Sequence, residues 1–244
     1  MSKTRIFLSN EISLDSTIKI ENQQHHLIKN VLRMKIDDKV NIFDGISGEW
    51  NSKIISINKK FTNLKVVKKI SAFSKSPDTW VIFAPIKQQR MSIAIQKATE
   101  LGASTFIPCI TEYTNIRKVN FDNLRANAIE ASEQSERLDI PIFKNVIKLD
   151  QLFINWPNDR MLIFCDEKSN SDKDILQTLI PYYKKFKKWS IIIGPEGGFS
   201  DKERDFIISN NKAISVSLGK RVLRSDTAIT VSLFAINEIL SNKS

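Results

Sequence analysis

The sequence predicts an α/β protein in which a small β-barrel precedes a larger domain with a parallel sheet. The first 72 residues contain several short runs with strand-like alternation and a single helical pattern. After residue 78, apolar strand-like runs alternate with helical patterns, as expected where helices connect parallel strands. Four of the seven glycines follow two late strands of that series. We therefore expect two domains, spanning residues 1–72 and 73–244.

The barrel prediction depends on alternation and β-branched content in the amino-terminal region. The predicted strands are Arg5–Leu8, Ser16–Ile20, Lys39–Phe43, Glu49–Ile57 and Phe61–Ile70. Asp44-Gly45 is a turn signal between the third and the fourth of them. One helix is predicted over Gln24–Met34, and the following residues form its apolar stripe: His26, Leu27, Ile28, Val31 and Leu32. The segment Ala72–Asp78, with its serines, lysine and proline, reads as a linker.

The second domain is predicted from a regular alternation of elements. Its strands are Trp80–Ala84, Thr105–Ile110, Met161–Cys165, Ser190–Ile193 and Ile214–Leu218. A helix of i, i+3, i+4 spacing runs from Met91 to Leu101 and stops at Gly102, and a second covers Phe121–Arg137. Ser200 and Glu203 form a capping box for a helix that ends near Ile208. Ser225 is predicted to cap a final apolar helix through Leu240.

The charge of the chain points to a polyanionic partner. The net charge is +10, and the first 72 residues carry 13 Lys and Arg against 7 Asp and Glu. An excess of cations in one region is typical of nucleic-acid binding. The alternative is a lysine-rich surface that follows genome composition, since Lys, Asn and Ile are abundant throughout.

Several classes of protein are excluded or disfavoured by composition. No apolar run approaches the roughly 20 residues of a membrane span, and Met1–Asn10 lacks the apolar core of a signal peptide, so we expect a cytoplasmic protein. Cys109 and Cys165 lie in apolar runs and are expected to be buried thiols. The only histidines are the adjacent His25 and His26, which makes a zinc site improbable, and we expect no metal.

Two glycine-bearing segments lie where a ligand site is expected. The first, from Ile191 to Ser200, reads as strand, glycine-rich loop and helix start, and the second, from Ser217 to Ala228, as strand, basic loop and helix. In open α/β sheets, ligands bind outside the carboxyl ends of the strands. Neither segment is a phosphate-binding Walker loop or a dinucleotide fingerprint. On spacing alone, both remain compatible with ordinary turns.

The motifs within these segments resemble a known family. The run G-P-E-G-G-F-S, followed by S-L-G-K-R-V-L-R-S-D-T-A, resembles the paired signature of the SPOUT methyltransferases, and especially the RsmE group, which methylates N3 of a uridine in 16S ribosomal RNA. The similarity extends to Q-K-A-T-E-L-G at 96–102, E-Q-S-E-R at 133–137 and H-L-I-K-N-V-L-R at 26–33. It covers nearly the whole chain in the same order.

The resemblance implies a fold, a cofactor and partners. It implies a trefoil-knotted carboxy-terminal SPOUT domain, a PUA-like RNA-binding barrel, S-adenosylmethionine as the cofactor, 16S ribosomal RNA of the small subunit as the substrate, and a homodimer with each active site near the subunit interface. The residues that it implies for cofactor binding are Asp166, Glu167, Gly194, Pro195, Glu196, Gly197, Gly198, Leu218, Gly219, Arg221 and Leu223.

Catalytic and RNA-binding roles follow as hypotheses. Arg224 is expected to stabilise negative charge on the uracil or its phosphate, unless it forms a structural salt bridge. Asp226 is a candidate proton acceptor, although acids in a first helical turn are favoured electrostatically anyway. Glu196 is expected either to orient its loop or to contact the cofactor ribose. Expected phosphate contacts are Arg5, Lys29, Arg33, Lys118 and Arg125.

Glu100, Glu133 and Arg137 have two alternative interpretations. They form either a buried ionic network that supports the site or a solvated face. Three positions also depart from the family pattern. The family usually has Glu where Asp226 stands, Arg where Tyr113 stands and a small residue where Glu136 stands.

Two competing functions remain open at this point. One is a knotted methyltransferase that acts on another RNA. The other is a non-catalytic RNA-binding factor of ribosome assembly, against which the intact glycines at 194, 197, 198 and 219 argue.

Overall fold

The computed structural model describes residues 4–169 and 174–241. These residues form two compact units. The first comprises the chain up to Lys75 together with Ser132–Ile140, and the second comprises Ser76–Ala131 and the chain from Pro141 onward. No helix in the described part of the chain is long and apolar enough to cross a membrane.

The first unit is built on a curled five-stranded sheet. Its strands are β1 (Arg5–Phe7), β2 (Thr17–Glu21), β3 (Lys39–Phe43), β4 (Glu49–Ile57) and β5 (Phe61–Ser71). Their order is β1-β3-β4-β5-β2, with β1 and β3 parallel and the other pairs antiparallel. Alternate apolar residues such as Ile54, Leu64 and Val66 fill the interior, as period-2 patterning requires. All five strand predictions are confirmed to within one residue at each end.

The helix of this unit differs from its prediction. It consists of α1 (Asn22–His26) followed by a π-helical turn over Leu27–Val31. Ile28 is buried and Leu27 is half-buried, whereas His26, Val31 and Leu32 are exposed, so the predicted apolar stripe is wrong at both ends; His25 is buried instead of His26. The physical reason at the carboxyl end is the wider π turn, which rotates the residues after Ile28 out of the 3.6-residue register.

The second unit contains a seven-stranded parallel sheet with intervening helices. Its elements in chain order are β6 (Thr79–Phe83), α2 (Gln88–Glu100), β7 (Thr105–Ile110), α3 (Phe121–Gln134), β8 (Ile142–Phe143), β9 (Ile147–Lys148), β10 (Arg160–Cys165), α4 (Ile175–Leu179), β11 (Lys188–Ile193), α5 (Asp201–Ile208), β12 (Ala213–Val216) and α6 (Ser225–Ser241). The last three residues of α3 belong to the first unit. Single 3₁₀ turns cover Leu149–Gln151 and Ile180–Tyr182. The predicted parallel sheet is confirmed, while β8, β9 and α4 were not predicted.

The strand order brings three loops together. The order is β12-β10-β11-β6-β7-β8, with β9 also paired to β7. One face of the sheet packs against α2 and α6 through residues such as Val81 and Ile191, and the opposite face buries Ile82 and Ile192. Because β10, β11 and β12 are parallel neighbours, the loops that follow them meet at the carboxyl edge of the sheet.

Candidate active site

A well-formed cleft of the second unit lies at this carboxyl edge. It encloses about 790 Å³, including its open mouth, which is within the usual range for a small-molecule site. The loops after β10, β11 and β12 and the first turns of α6 supply its walls. The residues that line it are Cys165, Asp166, Glu167, Ile193, Gly194, Pro195, Gly198, Phe199, Arg204, Ser217, Leu218, Gly219, Lys220, Arg221, Val222, Leu223, Ser225 and Ala228.

Glycine is required at several points of the loop after β11. A Cβ atom on Gly194 would lie 2.8 Å from Cε2 of Phe199, whose ring is held edge-on against Phe164. Gly198 has a φ of +70°, and a Cβ there would lie 2.7 Å from Oε1 of Glu167. The loop therefore presents bare backbone to the cleft, as a close approach to a ligand demands.

The loop is closed by the predicted capping box, which is confirmed. The backbone N–H of Glu203 donates to the Ser200 hydroxyl at 3.4 Å, and the backbone N–H of Ser200 donates to the Glu203 carboxylate at 3.1 Å. Oε1 of Glu203 also accepts the backbone N–H of Glu112 at 2.8 Å. One carboxylate thus holds both the start of α5 and the loop after β7.

The lining of the cleft contains a bidentate ion pair. Nε and Nη2 of Arg204 donate to the two carboxylate oxygens of Asp166 at 3.1 and 2.7 Å. The backbone N–H of Lys168 and the hydroxyl of Ser215 donate to the same carboxylate. The hydrogen-bonded carboxylate raises the pKa of the Arg204 guanidinium. Arg204 was not predicted as a site residue, because its partner Asp166 lies 38 positions earlier in the sequence and no local pattern links the two.

The structure places most of the predicted cofactor residues around this cleft. Nine of them line it: Asp166, Glu167, Gly194, Pro195, Gly198, Leu218, Gly219, Arg221 and Leu223. Glu196 and Gly197 do not. Oε1 of Glu196 instead accepts from Nη1 of Arg90, a residue of α2, at 2.6 Å. Gly197 faces Tyr113, whose Cβ lies 3.2 Å from where a Cβ of the glycine would be.

The start of α6 borders the cleft. Ser225 was predicted to cap this helix, but the helix begins at Ser225 itself, and its hydroxyl donates to the carbonyl oxygen of Gly194 at 3.1 Å. This bond ties the helix to the glycine-rich loop. Arg224, just before the helix, is exposed. Oδ1 of Asp226 is shielded from solvent and has no hydrogen-bond partner among the described residues.

Cys165, which lines the cleft, has the character of a neutral thiol. Its sulfur lies 3.1 Å from the Ser232 hydroxyl, and burial raises the pKa of the thiol to about 12. Cys109 is likewise buried with a raised pKa. Neither thiol therefore has the lowered pKa that an activated cysteine nucleophile needs. Within the described residues, no group of three or more His, Cys, Asp or Glu side chains could hold a metal ion.

The predicted phosphate contact at Arg5 is wrong. Its guanidinium is buried in the first unit, where it pairs with Glu49 at 3.0 Å. It also donates to the backbone carbonyl oxygens of Ser132, Glu133 and Arg137. Arg5 therefore satisfies the carbonyls at the end of α3 instead of facing solvent.

The three remaining motif residues separate into two environments. Oε1 of Glu133 accepts the backbone N–H of Phe7 at 2.8 Å, and Arg137 is buried against Asp139. Both residues are bonded within the first unit, where Arg137 is buried and Glu133 is half-buried, and a supporting role for the site stays a prediction. Glu100 pairs with Lys97 on an exposed helix face, as expected of a solvated face.

The other four predicted phosphate contacts are accessible to a ligand. Arg33, Lys118 and Arg125 are exposed, and Lys29 is partly exposed, with its ammonium group donating to the carbonyl oxygen of Asn58. Their contact with RNA stays a prediction.

Comparison with sequence families and relatives identifies the class of the chain. The profile described as RNA methyltransferase domain matches residues 74–237, and the profile described as RNA methyltransferase PUA domain matches residues 20–67. A ribosomal RNA small subunit methyltransferase E from Rickettsia conorii is 32% identical over 96% of this chain and 94% of its own length. The same-named protein of Buchnera aphidicola from Acyrthosiphon pisum is 30% identical over 98% of this chain and 94% of its own. The chain therefore belongs to the ribosomal RNA small subunit methyltransferase E family.

Solved structures agree with the fold. A ribosomal RNA small subunit methyltransferase E from Neisseria gonorrhoeae, bound to S-adenosyl methionine, superposes with a TM-score of 0.86 at 22% identity over 97% of this chain and 98% of that one. A methyltransferase from Legionella pneumophila, in complex with the same cofactor, gives 0.85 at 26% identity over 98% of both chains. The predicted combination of a PUA-like barrel with a parallel-sheet methyltransferase domain is thus confirmed.

Proposed function

We propose that this protein transfers a methyl group from S-adenosylmethionine to N3 of a uridine in 16S ribosomal RNA of the small subunit. The observation that carries the proposal is the cleft at the carboxyl ends of β10, β11 and β12, whose loops contain the glycines of the paired signature. Family membership supports the reaction class, and the resemblance of the motifs supports the target atom.

The lining of the cleft suits this cofactor. Leu218, Leu223 and Ala228 offer an apolar wall for a flat adenine ring, and the bare backbone of Gly194 and Gly198 allows a close approach. The carboxylate of Glu167 stands at the rim, where it can accept hydrogen bonds from ribose hydroxyls. The cofactor supplies an electrophilic methyl group on a positively charged sulfur. The nine lining residues that sequence analysis predicted are the proposed binding set.

Arg224 and Asp226 are the proposed catalytic residues. Methylation at N3 of uracil requires loss of the N3 proton, which leaves a lone pair for the incoming methyl group and negative charge on the ring. The exposed Arg224 guanidinium precedes α6 and stabilises that charge. Asp226 is the proposed proton acceptor, and its Oδ1 receives no hydrogen bond from the described residues.

We assign RNA binding to an amino-terminal domain over residues 1–72 and methyl transfer to residues 73–244. The excess of cations in the first segment supports this assignment, as does the match of a PUA profile there. Lys29, Arg33, Lys118 and Arg125 are the proposed phosphate contacts.

Three further properties of the family are proposed for this chain. They are a trefoil knot in the methyltransferase domain, a homodimer and a cytoplasmic location. The dimer has support from two large apolar side chains that are exposed in a single chain. These are Val222, 80% exposed, and Phe234 on α6, 55% exposed.

The direct test is mass spectrometry of 16S ribosomal RNA. Small subunits lacking the modification are incubated with purified protein and labelled S-adenosylmethionine. We expect labelled 3-methyluridine near the 3′ end of the RNA. Label at another nucleotide, or in another RNA, would reject the proposed target, and binding of the cofactor without any label would reject the proposed reaction.

A further inference from the structure

Tyr113 occupies an unusual position beside the glycine-rich loop. It lies in the loop of residues 111–120, which leaves the carboxyl end of β7 at the same edge of the sheet as the cleft. Its side chain packs on Gly197, since a Cβ on the glycine would lie 3.2 Å from Cβ and 3.6 Å from Cγ of the tyrosine. Because residue 197 has no side chain, Tyr113 can pack directly on the backbone of the glycine-rich loop.

The backbone on both sides of Tyr113 is anchored. The N–H of Thr111 donates to the Thr114 hydroxyl at 2.9 Å, and the two threonine hydroxyls lie 2.9 Å apart. The N–H of Glu112 donates to Glu203, the carboxylate that caps α5. Residues Thr111 and Thr114 are themselves buried. The ring is therefore held in place by the fold while 45% of the residue remains exposed.

The exposed part of the ring does not belong to the cofactor cleft. Tyr113 and Gly197 are both absent from the residues that line that cleft. A group that rests on Tyr113 consequently lies beside the cofactor loop, on its outer side. Because the reacting base must reach the cofactor, a base that rests on Tyr113 would be a neighbour of the reacting nucleotide.

The surroundings of Tyr113 favour an RNA strand. Arg117 and Lys118 project from the same loop and are exposed. A shallow groove next to the loop has Ile110, Leu149 and Phe206 in its walls, with further cations at Lys148 and Lys202. The acids in the groove are Glu112, Asp150 and Glu203, and both oxygens of Glu203 are already occupied by backbone N–H groups. Aromatic rings interleaved with cations are typical of sites for single-stranded nucleic acid.

We propose that Tyr113 is a stacking platform for a nucleobase next to the methylated nucleotide, in a single-stranded segment of the RNA substrate. The proposal rests on the proposed function and identifies a residue that determines substrate binding at the same site. Stacking tolerates any base, because every base has a π-face.

The test compares four versions of the full-length protein: wild type, Tyr113→Phe, Tyr113→Leu and Tyr113→Ala. Phe keeps the aromatic ring, Leu keeps apolar contact with Gly197 without a π-face, and Ala removes both. Each is measured for binding to a fluorescent single-stranded oligoribonucleotide with the target sequence, for affinity towards S-adenosylmethionine by calorimetry, and for oligomeric state by light scattering. Methyl transfer to small subunits is measured separately.

We expect Tyr113→Phe to bind the oligonucleotide like the wild type. Tyr113→Leu and Tyr113→Ala should bind it on the order of tenfold more weakly, with a correspondingly raised KM for small subunits. Affinity for the cofactor and the oligomeric state should be unchanged in all variants, because the ring lies outside the cleft.

Three results would overturn the proposal. Wild-type binding by Tyr113→Leu would mean that apolar packing on Gly197 suffices. A weaker affinity for the cofactor in Tyr113→Ala would make the ring a support for the glycine-rich loop. A change of oligomeric state would assign the exposed face to a second copy of the chain. If the wild type binds the oligonucleotide but methylates no RNA, the proposed function fails, while the binding series still decides the role of Tyr113.

Discussion

The two edges of the parallel sheet in the second unit use an arginine–aspartate pair in opposite ways. At the amino edge, Arg160 at the start of β10 is fully buried and pairs with Asp78 at 2.6 Å. Its guanidinium stacks on Trp80 at 3.6 Å and donates to the carbonyl oxygen of Trp189. At the carboxyl edge, Arg204 pairs with Asp166 while its side chain stays 21% exposed in the wall of the cleft.

The difference teaches which edge serves stability and which serves function. Burial lowers the pKa of the Arg160 guanidinium, and the Asp78 carboxylate opposes that effect. A buried charge of this kind depends strongly on its partner. At the carboxyl edge, the glycine backbone and the exposed Arg224 leave polar groups available to a ligand. We therefore expect mutations at the two edges to separate stability from activity.

The largest expected effect is on catalysis at the carboxyl edge. Replacing Arg224 by Ala should lower kcat roughly 100-fold, because the charge that develops on the uracil loses its stabilising cation. Since Arg224 is exposed, the free energy of unfolding should change little. Single-turnover methylation of small subunits and urea denaturation measure the two quantities.

Asp226→Asn serves as the companion of this variant, because it keeps the shape of the side chain and removes the proton acceptor. It should also reduce kcat, and calorimetry should find unchanged cofactor affinity in both variants. If Arg224→Ala turns over at the wild-type rate, the arginine has no catalytic role.

The next largest effect is on stability at the amino edge. Asp78→Asn removes the carboxylate that pairs with the buried Arg160, so the free energy of unfolding should fall by about 2 kcal/mol. Cofactor binding should persist, since six-residue strands separate the two edges by about 20 Å. Urea denaturation and calorimetry on the same sample test both statements. If Asp78→Asn is as stable as the wild type but binds the cofactor more weakly, the amino edge would serve function and not stability.

A smaller effect, on both cofactor affinity and stability, is expected when the ion pair in the cleft is broken. Asp166→Asn breaks the bidentate contact with Arg204 and loosens the loops that both residues hold. Affinity for S-adenosylmethionine should fall by about tenfold, with an unfolding free energy lower by about 1 kcal/mol. Equilibrium dialysis with labelled cofactor provides the affinity. Undiminished binding would mean that the pair is purely structural.

The smallest effect lies outside both edges, at Glu136 in the first unit. This residue has a φ of +60°, a conformation that is unfavourable for side chains with a Cβ. Glu136→Gly should raise the free energy of unfolding by about 0.5 kcal/mol without altering methylation. Glu136→Ala is the matched control, since it removes the charge but keeps the Cβ. Equal stabilisation by both variants would attribute the effect to charge.

The strands and the glycine-bearing loops could be predicted from the sequence because they depend on local patterns. The bounds of β3, β4 and β7 follow directly from alternation or an apolar run, and the capping box of Ser200 and Glu203 is a local motif. The rest depends on contacts between distant residues. Arg5 was expected at the surface, but it is buried and donates hydrogen bonds to carbonyl oxygens more than 120 positions away in the sequence. Arg204 lies in the site because it pairs with Asp166, which is 38 positions earlier.

Two further features are visible only in the structure. Glu136 has a positive φ, a conformation that a residue without a Cβ adopts more readily. Gly197 explains how a large ring is accommodated at Tyr113. Neither the backbone angle nor the contact is visible in residue type or spacing.

The most direct test of the central claim, that the carboxyl edge holds the cofactor, is a calorimetric titration of S-adenosylmethionine into three proteins. These are the wild type, Asp78→Asn and Gly194→Ala, whose new methyl group would meet the Phe199 ring. The wild type and Asp78→Asn should bind with equal affinity, and Gly194→Ala should bind at least tenfold more weakly. No binding by the folded wild-type protein, or undiminished binding by Gly194→Ala, would contradict the account.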